Sequence, residues 1–239
     1  MSERPILFKA AMVRAILEGR KTQTRRVVKP QFDGVPECGE RDGGEWSWFG
    51  SLRASLAHDS TGCFGTVKCP YGMAGDRLWV RETWNVDQCY NDLSPSDLPG
   101  SLTDSGIATD PQIGDVGFQA GFGMQMTGRW RPSIHMPRWA SRLNLGITGV
   151  RVERLNQISE EDAMAEGIQR YKSGGIFAYG VELESRDDAE ATARMAFRSL
   201  FQSINGPASW DRNPWVWVVE FKPVRSESLN PSTPETLPA

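Results

Sequence analysis

The stretch of sequence that most constrains the fold lies at residues 214–222. It reads Pro-Trp-Val-Trp-Val-Val-Glu-Phe-Lys, so apolar side chains fall on both faces of an extended chain. A strand of this kind must be covered on both sides, which predicts a central position in a sheet or barrel. The chain has 239 residues and is long enough to bury a core of the size that such a strand requires.

Other strand-like and helical segments precede that strand in irregular order. A bulge is expected near Gly149, where the apolar residues of one long segment change parity. Without regular βαβ alternation, the sequence predicts an α+β fold built on a small β-barrel. The predicted elements are a helix that ends at Gly19, strands at 77–84 and 142–155, an extended segment at 133–138, a helix after the N-cap Ser159, and a helix from about 187 to 204.

Two segments rich in Gly, Ser, Pro and Asp interrupt these elements. They span about residues 32–66 and 87–122, and we interpret them as loop-rich insertions, the first with a short hairpin. Residues 225–239 are rich in Ser, Pro and Glu and are predicted to be disordered. The sequence therefore predicts a single domain over residues 1–224 with two insertions and a tail.

Charge and hydropathy argue against a polycationic nucleic-acid-binding protein and against a membrane-spanning or secreted protein. The formal net charge is -3, so any binding of nucleic acid must come from local basic patches rather than from a global positive charge. No apolar run approaches the length of a membrane span, and the N-terminus lacks the apolar block of a signal peptide. We therefore expect a cytoplasmic protein without a membrane partner.

The cysteines are spaced irregularly and form no C-x-x-C pair. A zinc site with His58 as a further ligand is one interpretation, and ordinary free thiols are the interpretation that the spacing favours. A disulfide framework is not expected in a cytoplasmic chain. We expect neither a bound metal nor another cofactor. The cysteines are Cys38, Cys63, Cys69 and Cys89.

Groups with reactive chemistry are concentrated just after the first predicted helix. Lys21 and Thr24 place an amine and a hydroxyl three residues apart. They converge only if the turn after Gly19 bends the start of the extended segment that follows. The alternative is a solvated basic turn that complements the C-terminus of the helix. The cations of this turn are Arg20, Lys21, Arg25 and Arg26.

Glu166 is a third candidate, in the last turn of the helix that begins after Ser159. A negative charge at that end is disfavoured by the helix dipole. A residue that goes against the charge preference of a helix end can indicate a functional site. A glutamate in this position would suit the role of a general base. An ordinary surface glutamate is the alternative.

A second candidate surface interleaves cations with aromatic side chains. Arginine gives bidentate contacts to phosphate, and tryptophan offers a stacking surface for an unpaired base. The alternative is that the tryptophans belong to the core while the arginines pair with acids; for Trp130 and Trp139 the pattern leaves both interpretations open. The residues proposed to bind nucleic acid here are Arg81, Trp84, Trp130, Arg138 and Trp139.

Several short motifs recur in a characteristic order along the chain. They are Gly-Arg-Lys-Thr-x-Thr at 19–24, Gly-Asp-x-Leu-x-Val at 75–80, Ile-Ser-Glu-Glu-Asp-Ala-x-x-Glu-Gly at 158–167 and Trp-Val-x-x-Phe at 217–221. In this order they resemble ASCH domains of the PUA-like superfamily. The sequences at 69–72, 79–84 and 132–142 also resemble a group of phage and prophage proteins. The resemblance covers most of residues 5–224.

The resemblance implies a PUA-like (ASCH) small β-barrel with flanking helices and two loop-rich insertions, which recognises a nucleobase or nucleic acid. The chain is similar to small bacterial ASCH enzymes that hydrolyse the amide of N4-acetylcytidine. Their catalytic lysine, threonine and glutamate match Lys21, Thr24 and Glu166 here. The alternative function is a non-catalytic module of phage origin that binds RNA or, less expectedly, DNA.

The mechanism implied by that resemblance is nucleophilic. Lys21, whose pKa is lowered by neighbouring Arg20, Arg25 and Arg26, would deprotonate Thr24. Thr24 would attack the acyl carbonyl, and Glu166 would pass the proton to the leaving amine and activate water. The three arginines are also the expected binding groups for the substrate. On this hypothesis, Lys21→Ala and Thr24→Ala each abolish turnover without unfolding the protein.

Overall fold

The computed structural model describes residues 1–31, 35–41, 45–49, 63–99, 116–121, 126–170, 177–179 and 191–224. The predicted tail and about half of the second predicted insertion lie outside these residues. In chain order the elements are β1 (Glu3–Leu7), α1 (Ala10–Leu17), β2 (Gln23–Val27), β3 (Val35–Arg41), β4 (Glu45–Phe49), β5 (Cys63–Lys68), β6 (Arg77–Arg81), β7 (Trp84–Asn85), β8 (Gly117–Phe118), β9 (Asn144–Arg154), α2 (Glu160–Ala165), β10 (Ile168–Arg170), β11 (Phe177–Tyr179), α3 (Ala193–Asn205) and β12 (Trp215–Val224).

The main sheet has five strands in the order β1-β6-β9-β12-β2. β1 and β6 run parallel, whereas β6–β9, β9–β12 and β12–β2 are antiparallel. The predicted central position of β12 is confirmed, because Trp217 and Val218 are buried in separate hydrophobic clusters on opposite faces. α1 covers the first cluster, and α2 and α3 cover the second.

The α+β class is confirmed, but closure of the sheet into a barrel is not. Within the described residues, β1 and β2 are the two edges of the main sheet, and no ladder of hydrogen bonds joins them. The edges nevertheless approach each other, since Nη2 of Arg26 donates to the carbonyl oxygen of Leu7 at 2.9 Å. A side chain therefore bridges the opening that backbone pairing would close in a barrel.

The predicted bulge in β9 is confirmed. Glu220 lies opposite Gly149 and Phe221 lies opposite Ile147, so β9 carries one extra residue, Thr148, between these pairs. That shift keeps the apolar residues on both sides of the bulge on one face of β9, because Val150 and Val152 pack against the same cluster that contains Leu145 and Ile147.

The predicted end of the first helix and start of the second are also confirmed. α1 ends next to Gly19, which has φ +73°, a conformation that glycine adopts without a steric penalty. The hydroxyl of Ser159 accepts from the backbone N–H of Asp162 at 3.0 Å and so begins α2.

The predicted start of one helix and the predicted conformation of one segment are wrong. α3 begins at Ala193 rather than near residue 187, because the hydroxyl of Thr192 accepts from Met195 N and caps the helix there. The segment 133–138 is not extended. It holds short 3-10 turns at Ser133–His135 and Arg138–Ala140, each preceded by a proline whose ring restricts φ.

The region predicted as the first insertion contains more than a hairpin. Strands β3, β4 and β5 form a three-stranded antiparallel sheet. It is attached to the core through Trp46, whose ring meets that of Trp217 edge-on at 5.8 Å between centroids. The division into one domain with two insertions stays a prediction.

No helix in the described ranges is both long and apolar enough to cross a membrane.

Candidate functional site

The turn after α1 brings the first predicted catalytic residue inward. The backbone N–H groups of Arg20 and Lys21 both donate to the carbonyl oxygen of Ala15, at 2.9 and 3.0 Å. The chain therefore bends sharply before β2 begins at Gln23. Lys21 is left out of the β2 ladder and instead forms an isolated antiparallel bridge with Glu166.

Lys21 and Glu166 form a buried ion pair. Nζ of Lys21 donates to Oε2 of Glu166 at 2.7 Å and to the backbone oxygen of the same residue at 2.8 Å. The two side chains are 0% and 4% exposed. Residues 145 positions apart in the sequence thus meet in the interior, so Lys21 is not part of a solvated basic turn.

The pKa of Lys21 is lowered, as the resemblance implies, but the main cause is different. Burial disfavours the charged amine most strongly; Glu166 opposes this effect, and Arg26 and Arg25 add to it. Arg20 is engaged elsewhere. Its guanidinium pairs with Glu18 and donates to the carbonyl oxygen of Gly167 at 3.0 Å.

Glycine is required at position 167 to bring the ends of α1 and α2 together. Gly167 has φ +99°. A Cβ added there would lie 3.1 Å from Cβ of Ala15 and 3.2 Å from Cβ of Lys21. Glycine at this position therefore allows Glu166 to approach Lys21 closely.

Thr24 lies on β2 opposite Val219 and is 1% exposed. Its hydroxyl makes no hydrogen bond with another residue in the described part of the chain. Alternation along β2 places Thr24 and Arg26 on one face. Arg26 lies 5.3 Å and the amine of Lys21 5.7 Å from the centroid of the same Phe8 ring. Lys21 and Arg26 thus both lie close to the ring of Phe8.

A cavity of about 450 Å³ opens onto Phe8, Thr24 and Arg26. It lies between the two edge strands of the main sheet and extends to α3. Its walls combine aromatic rings with polar groups, a composition typical of sites for small molecules. The lining includes Phe8, Thr24, Arg25, Glu166, Phe197 and Phe201.

Arg25 holds Glu166 from the other side. Its Nη1 donates to Oε1 of Glu166 at 3.3 Å, its Nε to Oε1 of Glu153 at 2.9 Å, and its Nη2 to Oδ2 of Asp162 at 2.7 Å. The guanidinium is fully buried by these carboxylates. Arg25 was predicted to bind substrate, but its donors are directed at three protein carboxylates, so it positions Glu166.

Asp162 belongs to this charged network. Burial raises the pKa of its carboxyl, but Arg25, Gln23 and Arg151 together outweigh burial, so that the pKa lies below its ordinary value. The carboxylate therefore stays ionised next to Arg25. Neither Asp162 nor Glu153 was predicted from the sequence to belong to the site. Nothing in the local pattern of either residue indicates a distant arginine partner.

Replacing Arg25 with lysine tests this positioning role. Lysine cannot donate to three carboxylates at once, so we expect Arg25→Lys to lower the free energy of unfolding by about 2–3 kcal/mol. Arg151→Lys is the matched control, because Arg151 also contacts Glu153 and Asp162 but its side chain is 36% exposed. Denaturant unfolding should give a loss below about 1 kcal/mol for the control. Equal losses in both variants would contradict the positioning role.

The predicted arginine–tryptophan surface is only partly open. Trp84 is fully buried and meets Trp139 edge-on at 6.0 Å, so it belongs to the core and cannot stack on a base. Arg81 donates to the backbone oxygen of Met136 at 2.9 Å. Of the predicted residues, Trp130 is the most exposed, at 51%.

Arg138 also has internal partners. Its Nε and Nη2 form a bidentate pair with the carboxylate of Glu3, both at 2.8 Å. The structure thus does not bring the five predicted residues into one free cationic and aromatic groove.

The described residues contain no group of three or more His, Cys, Asp or Glu side chains that could hold a metal ion. Cys69 is buried, and burial raises the pKa of its thiol to about 11, whereas Cys89 is exposed. The side chains of Cys38 and Cys63 and the whole of His58 lie outside the described residues.

Comparison of the chain with protein-family models, with curated proteins and with solved structures found no match. Support for a function therefore comes from the geometry of Lys21, Thr24 and Glu166 and from the cavity beside them.

Proposed function

We propose that this chain is an ASCH-type amidohydrolase that removes the acyl group from an N4-acylated cytosine nucleoside. The observation that carries the proposal is the buried pair of Lys21 and Glu166, next to a cavity that Glu166 and Thr24 both line. The volume of about 450 Å³ lies within the range of cavities that bind small molecules such as a nucleoside.

The arrangement of the edge strands supports a PUA-like barrel as the underlying fold. β1 and β2 face each other across the cavity, and the contact from Arg26 to Leu7 bridges them. In such a barrel the cavity occupies the incompletely paired side of the sheet. The site would then be formed where the barrel is open.

The proposed first step is acyl transfer to Thr24. The neutral amine of Lys21 takes the proton of the Thr24 hydroxyl while Oγ1 forms a bond to the acyl carbon. The resulting ammonium lies 2.7 Å from Oε2 of Glu166, which can accept the proton. Glu166 gives this proton to N4 as the C–N4 bond breaks, releasing the cytosine product and leaving an ester on Thr24.

The second step is hydrolysis of that ester. Glu166, now ionised again, takes a proton from a water molecule whose oxygen attacks the ester carbon. The C–Oγ1 bond breaks, Oγ1 is reprotonated through Lys21, and the carboxylic acid leaves. Arg25 acts in both steps only by holding Glu166 in place.

Incubation of the purified protein with N4-acetylcytidine tests the proposal directly. We expect cytidine and acetate to appear in equal amounts by chromatography. N4-methylcytidine is the matched control, because it carries a substituent on N4 but no carbonyl that a nucleophile can attack. Absence of turnover with the acetyl compound and with its phosphorylated forms would contradict the proposal.

The pH dependence of turnover follows from the state of Lys21. Only the neutral amine can accept the proton of Thr24, and the pKa of Lys21 lies below its ordinary value of 10.5. We therefore expect kcat to rise with pH and to level off at a pH below 10.5. Rates measured from about pH 6 to about pH 10 check this expectation. A rate that is independent of pH over that range would contradict the role of Lys21 as a base.

The geometry favours the enzyme over a module that binds nucleic acid through the arginine–tryptophan surface. Arg138 and Arg81 already have protein partners, and Trp84 is buried. Trp130 by itself offers one exposed ring. RNA or DNA therefore enters the proposal as a carrier of the modified base rather than as a ligand of that surface.

A further inference from the structure

Three cations without carboxylate partners line the cavity. Lys9 and Lys29 are exposed, Arg26 is partly buried, and all three belong to the cavity wall. Glu166 is the one acidic residue among the described lining residues, and it is already paired with Lys21 and Arg25. The charge on Glu166 is therefore balanced without the three cations, and they leave an excess of positive charge facing the cavity.

The charges of these three cations are not paired with carboxylates, unlike those of the other basic residues around the site. Arg20, Arg25 and Arg138 each form an ion pair with a carboxylate. Arg26 instead donates to the carbonyl oxygen of Leu7 and lies over the ring of Phe8. Within the described part of the chain, neither Lys9 nor Lys29 forms an ion pair. Their charges are thus available to a ligand.

The start of α1 adds to the positive field at the same cavity. Lys9 is the N-cap residue of this eight-residue helix, no side chain caps it, and its first turn contains no acidic residue. Lys9 and Met12, on the first turn, line the cavity. The positive end of the helix dipole is therefore not neutralised, and such an end favours an anion.

Thr24 provides an independent indication that the cavity takes a ligand. It is 1% exposed, lines the cavity and makes no hydrogen bond with another described residue. Because Thr24 lines the cavity, its hydroxyl can form a hydrogen bond with a ligand or water there. The cavity thus combines a polar group without a partner in its wall with unpaired cations.

We propose that the substrate carries a phosphate group, which Lys9, Arg26, Lys29 and the start of α1 bind while the acylated base lies next to Thr24. This inference rests on the proposed function and narrows its substrate from a free nucleoside to a phosphorylated cytosine derivative. Lysine and arginine are the usual ligands of phosphate, and the exposed lysines act as point charges. The phosphate could belong to a mononucleotide or to an RNA chain.

The test compares N4-acetylcytidine with its 5′-monophosphate and with a short single-stranded RNA that contains one N4-acetylcytidine. We expect kcat/KM to be about tenfold higher for the phosphorylated substrates, equivalent to roughly 1.4 kcal/mol. The double variant Lys9→Ala/Lys29→Ala should lose this preference while it keeps its rate on the nucleoside. Lys222→Ala, at an exposed lysine outside the cavity wall, is the matched control. A higher value for the RNA than for the monophosphate would identify a chain as the source of the phosphate.

Two outcomes separate this inference from the proposed function. Equal kcat/KM for nucleoside and nucleotide, unchanged in the double variant, would overturn the inference and leave the hydrolase intact. If no acylated compound is hydrolysed, the inference is tested by binding instead. Calorimetry then compares the affinities of the protein for cytidine 5′-monophosphate and for cytidine. Tighter binding of the monophosphate that is lost in Lys9→Ala/Lys29→Ala would support the inference without the hydrolase, and equal or absent binding of both would overturn it.

Discussion

Replacing Thr24 with valine is expected to reduce hydrolysis of N4-acetylcytidine by about a thousandfold or more. Valine keeps the β-branched shape of the side chain but removes the oxygen that would form the ester, and loss of a nucleophile has effects of this size or larger. Because Thr24 lies in a strand and its hydroxyl has no partner among the described residues, the fold should tolerate the exchange. Single-turnover rates together with thermal unfolding check both statements.

Two further variants sharpen this result. Thr22→Val makes the same chemical change at an exposed side chain two residues earlier and should keep full activity. Thr24→Ser restores a nucleophilic oxygen and should recover part of the rate. If Thr24→Val retained activity comparable to that of the unmodified protein, Thr24 could not be the nucleophile.

Replacing Lys21 with alanine is expected to lower the free energy of unfolding by about 3–5 kcal/mol in addition to abolishing turnover. The amine is fully buried against Glu166, and removal of one partner from a buried ion pair leaves the other charge poorly compensated. Arg25 remains beside Glu166, so the loss should fall towards the lower end of that range. Urea unfolding monitored by tryptophan fluorescence measures it.

The control for this variant is Lys222→Ala, which removes an exposed lysine and should change stability by less than about 0.5 kcal/mol. If Lys21→Ala were as stable as that control, the ion pair would contribute nothing to the fold. The expectation from sequence alone, that Lys21→Ala abolishes turnover without unfolding the protein, does not take this burial into account. Thr24 is consequently the better position at which to separate catalysis from stability.

The prediction of local structure succeeded where short-range chemistry controls it. Gly19 ends α1 and Ser159 begins α2, because a positive φ and a capping hydroxyl act over only a few residues. The bulge in β9 could likewise be derived from the parity of its apolar residues. The start of α3 was misplaced, since several polar residues precede it and only the structure identifies Thr192 as the cap.

The edge strand β1 was not predicted, and two lysines of the cavity wall, Lys9 and Lys29, were not identified either. β1 is a short strand of five residues with a mixed burial pattern, which carries little periodic signal. Because β1 leads into Lys9 and forms one wall of the cavity, neither Lys9 nor Lys29 was recognised as facing the same opening as Arg26. Such a proximity depends on sheet order, which no local pattern encodes.

The sequence by itself determined the α+β class, the buried central strand and the ends of two helices. These properties depend on hydrophobic periodicity and on capping, both of which act locally. Only the tertiary structure decided that Lys21 meets Glu166, that Arg25 positions a carboxylate, and that Trp84 lies in the core. Each of these outcomes depends on which distant segment packs against the residue, because burial and pairing of charges are set by long-range contacts.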